Sequence, residues 1–375
     1  MKIIADSEIK LIELLYNLGI PAEAIFLTIG GKLVPETATA KKGDEIEIIF
    51  YKHVPPFSSP QEPRGPWKKA KYKNSCEYCK SNPVVYLPYA KQHLCKKHFT
   101  ESFEKRVKRT IREYKMLKKG EKVGIGLSGG KDSFALLYVL SKVRESLPFL
   151  LVALTIDEGI PGYRDKSIEN AEKICRELRI EQHVFLFKDE YGKTIAEIAK
   201  AGAENLCSYC GVLRRKLLNS KARGLELDKI AIGHNLDDVA QTAMLNLIRN
   251  EPLRFARFNV PLLNNEKFIP RIRPLRDIRE KEVAIYAFLH GHRYDSGCCC
   301  PYATSALRWS VRHELNSLED QHPGTKSKIA SSFNTLQEIV KKEVSAKDHE
   351  LNSCKKCGEP TSEEICMSCK MLNDL

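Results

Sequence analysis

The chain has 375 residues and a formal net charge of +13 at pH 7. This length is enough for two or three domains, and the charge favours an anionic partner such as nucleic acid. No apolar run approaches the ~20 residues of a membrane helix, and the first residues lack a signal-peptide pattern, so we expect a cytoplasmic protein that does not enter a membrane. Most of the 13 cysteines fall in close pairs, which in this compartment indicate metal or redox chemistry rather than disulfide bonds.

Residues 1–52 are predicted to form a separate α+β domain. A leucine-rich helix beginning near Leu11 is followed by two strand-like segments, Ile25–Ile29 and Glu45–Tyr51. This order, with the segment Gly-Asp-Glu-Ile-Glu-Ile, resembles the ThiS/MoaD β-grasp sulfur carriers. Those carriers end in Gly-Gly, whereas this chain continues through Lys52 and His53. We therefore expect the domain to serve in docking or RNA binding rather than in carrying sulfur.

Two sets of closely spaced ligands predict two zinc sites. The first set comprises Cys76, Cys79, Cys95 and His98, in a module at residues 75–100. The second set comprises Cys354, Cys357, Cys366 and Cys369, in a zinc ribbon at residues 351–375. Because four protein ligands leave no open coordination position, both sites should be structural.

Basic segments lie on either side of the first set. A linker rich in proline and lysine is predicted at residues 53–74. Residues 101–118 predict a basic amphipathic helix, whose apolar stripe is formed by Phe103, Val107, Ile111 and Tyr114. Its lysines and arginines would face either RNA or solvent.

The stretch from Val123 to Ser133 predicts a buried strand, a glycine-rich loop and the start of a helix. Such a loop binds anions, because free backbone N–H groups and the helix dipole favour negative charge. A Walker A loop is excluded, since Ile125 stands where glycine is required and Asp132 where Ser or Thr is required. A dinucleotide-binding pattern fits formally, but it would place its first glycine, Gly124, inside the strand.

The full hexapeptide Ser-Gly-Gly-Lys-Asp-Ser at 128–133 resembles the PP-loop of ATP pyrophosphatases. That family splits ATP into AMP and pyrophosphate while it adenylates a substrate. Strands alternate with helices after this loop, and Gly-His-Asn-Leu-Asp-Asp at 233–238 resembles the second ATP-site motif of the same family. The alternation predicts an α/β domain at residues 101–350, built as a doubly wound, Rossmann-like parallel sheet.

Cysteines inside this domain indicate a further centre. Cys207 and Cys210 form a pair, and three consecutive cysteines at 298–300 lie downstream. Three thiolates can hold a [4Fe–4S] cluster and leave one iron open for sulfide or substrate. The alternative chemistry is a cysteine pair that forms a persulfide and a catalytic disulfide.

The combined motifs resemble the TtuA-type tRNA 2-thiolation enzymes over about residues 75–370. Besides the two zinc sets and the ATP motifs, they include Cys-Ser-Tyr-Cys-Gly-x-x-Arg-Arg and Cys-Pro-Tyr. The resemblance implies that Cys207, Cys210 and Cys300 hold the cluster, and either Cys298 or Cys299 could substitute for Cys300. The residues that it implies as the lining of the ATP site are Gly126, Leu127, Ser128, Gly129, Gly130, Lys131, Asp132, Ser133, Ile156, Arg214 and Gly233.

These observations predict an ATP-dependent tRNA-uridine 2-sulfurtransferase. Lys131 would stabilise phosphate charge, Asp132 and Asp157 would hold Mg²⁺, and Asp238 would act as a base or a metal ligand. Expected partners are tRNA, a sulfur donor that is either sulfide or a ubiquitin-like carrier, and a second copy of the chain in a homodimer. Two alternatives remain at this point: cytidine 2-thiolation, and a nucleotide- and zinc-dependent RNA-binding protein without thiolation activity.

Overall fold

The computed structural model describes residues 1–51, 67, 73–203, 205–251, 267–293, 300–302, 307–345 and 352–373. Helix α1 (Leu11–Asn17) packs on an N-terminal sheet whose strands are β1 (Lys2–Ile4), β3 (Ile25–Ile29), β4 (Lys32–Val34) and β6 (Glu45–Phe50). The strand order is β1-β6-β3-β4 and every pairing is antiparallel. The short strands β2 (Ile9–Lys10) and β5 (Thr39–Ala40) pair beside this sheet.

The N-terminal sheet has its own apolar core. Leu11 and Leu15 of the helix and Ile25, Leu27 and Ile46 of the strands are completely buried. Because alternate residues of β6 point to opposite faces, Ile46 and Ile48 face the helix while glutamates face outward. The predicted α+β character of this segment is confirmed.

A second sheet of five strands forms the centre of the molecule. Its strands are β9 (Lys122–Gly126), β10 (Leu150–Asp157), β11 (Glu181–Leu186), β12 (Lys229–Ala231) and β13 (Arg271–Ile272). They lie in the order β11-β10-β9-β12-β13, and all are parallel. The predicted doubly wound parallel sheet is therefore confirmed. The sequence predicted four of these strands; β13 has only two residues and is too short to give a hydrophobic pattern.

Helices and small ladders complete the described fold. Strands β7 (Val85–Leu87) and β8 (Gln92–Leu94) lie directly before helix α2 (Lys96–Glu113). The next helices along the chain are α3 (Lys131–Val143), α4 (Arg164–Leu178), α5 (Phe187–Tyr191), α6 (Ile195–Lys200), α7 (Leu206–Gly224), α8 (Leu236–Ile248), α9 (Glu280–Leu289), α10 (Leu307–Gln321) and α11 (Thr325–Ser345). Strands β14 (Asn352–Ser353) and β15 (Pro360–Thr361) and helix α12 (Met367–Asn373) come last. Among these described helices, none is both long and apolar enough to cross a membrane.

The basic helix α2 begins and ends earlier than the sequence predicted. It starts at Lys96, and its buried stripe includes Phe99, Phe103, Val107 and Ile111. Tyr114, which was predicted to continue the stripe, is 41% exposed, and Lys115 takes a left-handed conformation with φ of 49°. The helix stops there because a left-handed residue breaks its hydrogen-bond ladder.

Candidate active site and metal centres

The glycine-rich loop lies between the end of β9 and the start of α3, as the sequence predicted. Gly129 has φ of +78°, and a Cβ atom there would lie 1.7 Å from the carbonyl oxygen of Ser167. Only glycine fits this position, because any side chain would collide with the backbone of α4. Ser128 and Ser133 brace the loop, with their hydroxyl oxygens 3.1 Å apart. Backbone N–H groups at the start of α3 are thus held in the arrangement that binds phosphate.

Lys131 is buried beneath this loop and is paired with two carboxylates. Its Nζ lies 2.7 Å from Asp132 Oδ2 and 2.8 Å from Glu280 Oε1. Burial alone would lower the pKa of Lys131, but the charges of Asp132 and Glu280 outweigh it and raise that pKa. The lysine is therefore a fixed positive charge. Glu280 was not identified from the sequence, because it follows Lys131 by 149 residues and belongs to no recognised motif.

Tyr51 of the N-terminal domain lies close to Lys131. This residue directly follows β6, and its ring centroid lies 5.8 Å from Lys131 Nζ. The Tyr51 hydroxyl donates to the carbonyl oxygen of Glu23. The end of the N-terminal sheet therefore contacts the nucleotide loop, which the sequence did not reveal.

The second ATP-site motif meets the first at Asp132. Asn235 and Asp238 cap α8 reciprocally, through bonds of 3.1 and 3.2 Å between each backbone N–H and the other side chain. Asn235 Nδ2 also donates to Asp132 Oδ1 at 2.9 Å. A Cβ atom on Gly233 would lie 3.1 Å from the carbonyl carbon of Asp132. Asp238 therefore has a structural capping role, and its proposed part as a base or metal ligand stays a prediction.

The three predicted cluster ligands lie together. Cys207 and Cys210 are in the first turns of α7, and Cys207 Sγ lies 3.5 Å from the carbonyl oxygen of Tyr302. Burial raises the pKa of the Cys300 thiol, and the neighbouring Cys207 thiol contributes in the same direction. All three are free thiols. The other two candidates for the third ligand, Cys298 and Cys299, lie outside the described residues.

The spacing of these thiols distinguishes them from the zinc sets. In the part of the chain that the structure describes, the ligand atoms of the two predicted zinc sets each lie within 4.8 Å of one another, and no other set of three or more does. A single ion needs such close ligands, whereas a cluster of four irons needs thiolates held further apart. The three free thiols therefore do not form a compact single-ion site of this kind.

The two compact sets have the geometry of four-ligand metal sites. In the first, Cys76 Sγ lies 3.3 Å from His98 Nδ1, and Cys79 Sγ lies 3.7 Å from Cys95 Sγ. Hydrogen bonds from Ser81 lower the pKa of Cys79 to about 6. In the second, the backbone N–H of Cys366 lowers the pKa of Cys354 to about 6. Three sulfur atoms with one imidazole, and four sulfur atoms, are donor sets that Zn²⁺ prefers, so both sets suit this ion.

Arg214, predicted to line ATP, lies beside the thiols. Its Nη2 donates to Cys210 Sγ at 3.1 Å, and its Nε lies 3.3 Å from Glu158 Oε1. Ile156, another predicted ATP residue, uses its carbonyl oxygen to accept a bond from Arg164. Neither Glu158 nor Arg164 was assigned a role from the sequence. Both lie just after β10, at the carboxyl edge of the sheet where ligands bind in this fold.

Comparison with known families shows the family to which this chain belongs. A family model described as the PP-loop domain matches residues 99–319, which is more than half of the chain. The chain belongs to the PP-loop family. A second model, described as the N-terminal LIM domain of the 2-thiouridine synthetase TtuA, matches residues 75–100 of this PP-loop protein. Both matches leave out the N-terminal sheet.

The relatives narrow the family further. The PP-loop protein is 38% identical over 320 residues to the tRNA 2-thiolation protein NcsA of Haloferax volcanii, covering 80% of this chain and 98% of that protein. It is 36% identical over 295 residues to the tRNA-5-methyluridine(54) 2-sulfurtransferase of Pyrococcus horikoshii, covering 79% and 92%. The U34-tRNA thiolase NcsA of Methanococcus maripaludis, solved with its [4Fe-4S] cluster, has 35% identity and a TM-score of 0.69, covering 81% and 97%. These matches place the chain among the PP-loop tRNA 2-thiolation proteins.

Proposed function

We propose that this protein is an ATP-dependent tRNA-uridine 2-sulfurtransferase. The observation that carries the proposal is the meeting of two centres at one edge of the parallel sheet. The phosphate loop follows β9, and Glu158 follows β10. The thiols of Cys210 and Cys300 lie near Glu158, and that of Cys207 lies near Cys300. An enzyme that activates a base with ATP and then replaces oxygen by sulfur needs both centres close together.

The reaction has two balanced steps. First, uridine O2 attacks the α-phosphorus of ATP, the bond to the β-phosphate breaks, and pyrophosphate leaves while the base loses its N3 proton. Second, hydrosulfide adds to C2 and its proton passes to N3, the C2–O bond breaks, and AMP leaves with the former O2. No net oxidation occurs, so no external oxidant or reductant is required.

The residues of this chain would assist the first step. The loop N–H groups and the fixed charge of Lys131 would stabilise negative charge on the phosphates as it develops. Asp132 and Asp157 would hold Mg²⁺, which prefers carboxylate and phosphate oxygens. When ATP binds, Lys131 would exchange part of its pairing with Asp132 for the phosphates, and Glu280 would keep it in place.

The three thiols would hold a [4Fe–4S] cluster. When bound, the cluster would supply one iron without a protein ligand, where sulfide can coordinate. Support comes from the cluster named for the Methanococcus maripaludis thiolase and from the proximity of Cys300 to both Cys207 and Cys210. The two compact sets would hold structural zinc.

The substrate and the sulfur donor form the finer part of the proposal. The relatives are named for uridine at position 34 and for 5-methyluridine at position 54, so both positions are candidates. Sulfide and a ubiquitin-like carrier are the two candidate donors, and we propose a homodimer.

The test uses protein purified without oxygen and incubated with ATP, Mg²⁺, sulfide and tRNA transcripts. We expect AMP, pyrophosphate and 2-thiouridine, measured by mass spectrometry of the nucleosides. Transcripts that carry cytidine in place of uridine at position 34 or 54 identify the target. For variants of the cluster cysteines, Cys175→Ala is the matched control, because Cys175 is a buried free thiol outside the cluster site and both zinc sites. Iron-free protein that binds ATP and tRNA but forms no thionucleoside would support the RNA-binding alternative. Formation of 2-thiocytidine would support the alternative of cytidine 2-thiolation.

A further inference from the structure

A line of charged groups connects the phosphate loop with the thiols. The Nη1 of Arg164 donates to the carbonyl oxygen of Ser128 in the loop at 3.0 Å. The Nε of Arg164 lies 2.7 Å from Glu158 Oε2, and Glu158 Oε1 lies 3.3 Å from the Nε of Arg214. Arg214 then donates to Cys210 Sγ at 3.1 Å. Five residues from four segments of the chain thus form one continuous path.

Glu158 is the centre of this path and is strongly buried. Its side chain is 6% exposed, and that of Arg164 is 4% exposed. A carboxylate taken out of water is costly unless cations pair with it, and here one carboxylate serves two guanidinium groups. Removing its charge would therefore take away the one carboxylate that both arginines share.

Arg164 holds the nucleotide side. Besides the Ser128 carbonyl it binds the carbonyl oxygen of Ile156 at the end of β10, so one guanidinium fixes the loop relative to the sheet. The N-terminal turn of α4 supports this, because Ser167 packs directly against Gly129. A shift of Arg164 would move the loop N–H groups away from the positions that phosphates require.

Arg214 holds the thiol side. Its guanidinium is a cationic donor to Cys210 Sγ and fixes the direction from which that sulfur is contacted. Hydrogen bonds from neighbouring groups to a ligating sulfur orient the ligand and tune the bound centre. Arg214 is more exposed than Glu158 and is held on its other side by that carboxylate.

We propose that Glu158 is a positioning residue for both centres at once. It keeps Arg164 on the phosphate loop and Arg214 on Cys210, so that nucleotide binding and retention of the cluster depend on the same carboxylate. The inference rests on the proposed function in one respect, namely that Cys210 is a cluster ligand. It adds a residue that neither the sequence motifs nor the proposed chemistry had assigned.

The test compares Glu158→Gln with the parent protein, both loaded with iron and sulfide without oxygen. Two properties are measured without tRNA: the Kd of α,β-methylene-ATP by calorimetry, and the rate of iron release to a chelator from the visible absorbance. We expect the Kd to rise about tenfold, as for the loss of a charged contact. We expect iron release to accelerate by about tenfold, the lower end of the effect of orienting residues around metal ligands.

Glu190→Gln is the matched control. Glu190 forms an ion pair with Lys221, which belongs to the same helix as Arg214, α7, and this pair lies outside both centres. Both properties should stay within about twofold of the parent, the scatter expected for a surface ion pair. If Glu158→Gln is unfolded by circular dichroism, Glu158→Asp replaces it. That variant keeps the negative charge but shortens the side chain, so it cannot stay close to both guanidinium groups, and it should change the two properties in the same directions.

The outcomes separate the inference from the proposed function. Loss of both nucleotide affinity and iron in Glu158→Gln supports the role of Glu158 as a positioning residue for both centres. A change in only one property, or in neither, overturns it, even if the parent thiolates tRNA. A parent that takes up no iron overturns the proposed function and the cluster half of the inference together, whereas the nucleotide half is still decided by the Kd.

Discussion

Lys281 and Glu36 form a buried ion pair that joins helix α9 to the N-terminal sheet. The Nζ of Lys281 lies 2.7 Å from Glu36 Oε1, with the two side chains 6% and 2% exposed. The same ammonium donates to the carbonyl oxygen of Ala22 at 2.6 Å. Phe26 packs on Phe288 with ring centroids 5.0 Å apart. The N-terminal domain therefore packs against helix α9, and both a buried ion pair and an apolar contact hold it there.

The variant Lys281→Ala should lower the free energy of unfolding by about 3 kcal/mol, because it leaves Glu36 buried without its cation. Denaturant unfolding monitored by circular dichroism measures this loss. The double variant Lys281→Met with Glu36→Leu removes both charges and should recover most of the stability. A single variant as stable as the parent would show that the two domains do not depend on this pair.

Replacement of Lys131 should abolish AMP formation and also destabilise the fold. Lys131→Ala takes the nearest cation away from buried Glu280, so we expect a loss of about 2–3 kcal/mol in addition to the loss of activity. Adding Glu280→Gln should restore stability without restoring AMP release, which thin-layer chromatography of labelled ATP measures. Thiolation by either variant at the parent rate would contradict the role of the phosphate loop.

Glu23 should make the stability of the folded protein depend on pH. Burial raises the pKa of Glu23 from about 4.5 to about 7, with Lys281 only partly opposing it. The folded state therefore binds this proton more tightly than the unfolded chain does, and the contribution of Glu23 is complete below pH ~4.5 and is lost as the pH rises through 7.

Glu23→Gln has no such proton, so its stability relative to the parent should increase by about 2.5 kcal/mol between pH 5 and pH 8. Unfolding by denaturant at several pH values measures the difference. Glu13→Gln, at an exposed position on α1, is the control and should show no comparable trend. A constant difference between Glu23→Gln and the parent over this range would contradict the raised pKa.

Zinc content should report on the two compact sets separately. Cys76→Ser and Cys354→Ser should each lower bound zinc from about two ions per chain to about one, because each removes a ligand from a different site. Structural zinc contributes roughly 10 kcal/mol to folding in isolated modules, so each variant should unfold its own module. Cys175→Ala should keep both ions. Unchanged zinc in a ligand variant, measured by plasma mass spectrometry, would contradict the assigned set.

Cys300→Ala should lose iron and 2-thiouridine formation but keep ATP binding. Cys300 precedes Pro301, which restricts it to extended backbone, and it lies close to Cys207 and Cys210. Cys298→Ala and Cys299→Ala should keep both properties. Iron analysis of the three variants, prepared without oxygen, decides between them. Full iron in Cys300→Ala would assign the third ligand to a neighbour, and loss in all three would indicate a segment that tolerates no change.

The sequence alone predicted the parts whose information is local. Ser128 to Ser133 lie on consecutive positions of one loop, and each zinc set consists of two ligand pairs with fixed internal spacing. Hydrophobic periodicity likewise predicted the long strands of the central sheet, because a strand buried on both faces is continuously apolar. Chemistry that depends on neighbours along the chain is visible in the order of residues.

Only the tertiary structure could assign partners to the buried charges. Glu280 reaches Lys131 across 149 residues, and Glu36 reaches Lys281 from a different domain. Glu158 looks like an ordinary loop glutamate until the fold places Arg164 on one side of it and Arg214 on the other. A pairing of this kind is decided by which segments the apolar core brings together, and no local spacing encodes it, because the free energy that forms it is spread over the whole core.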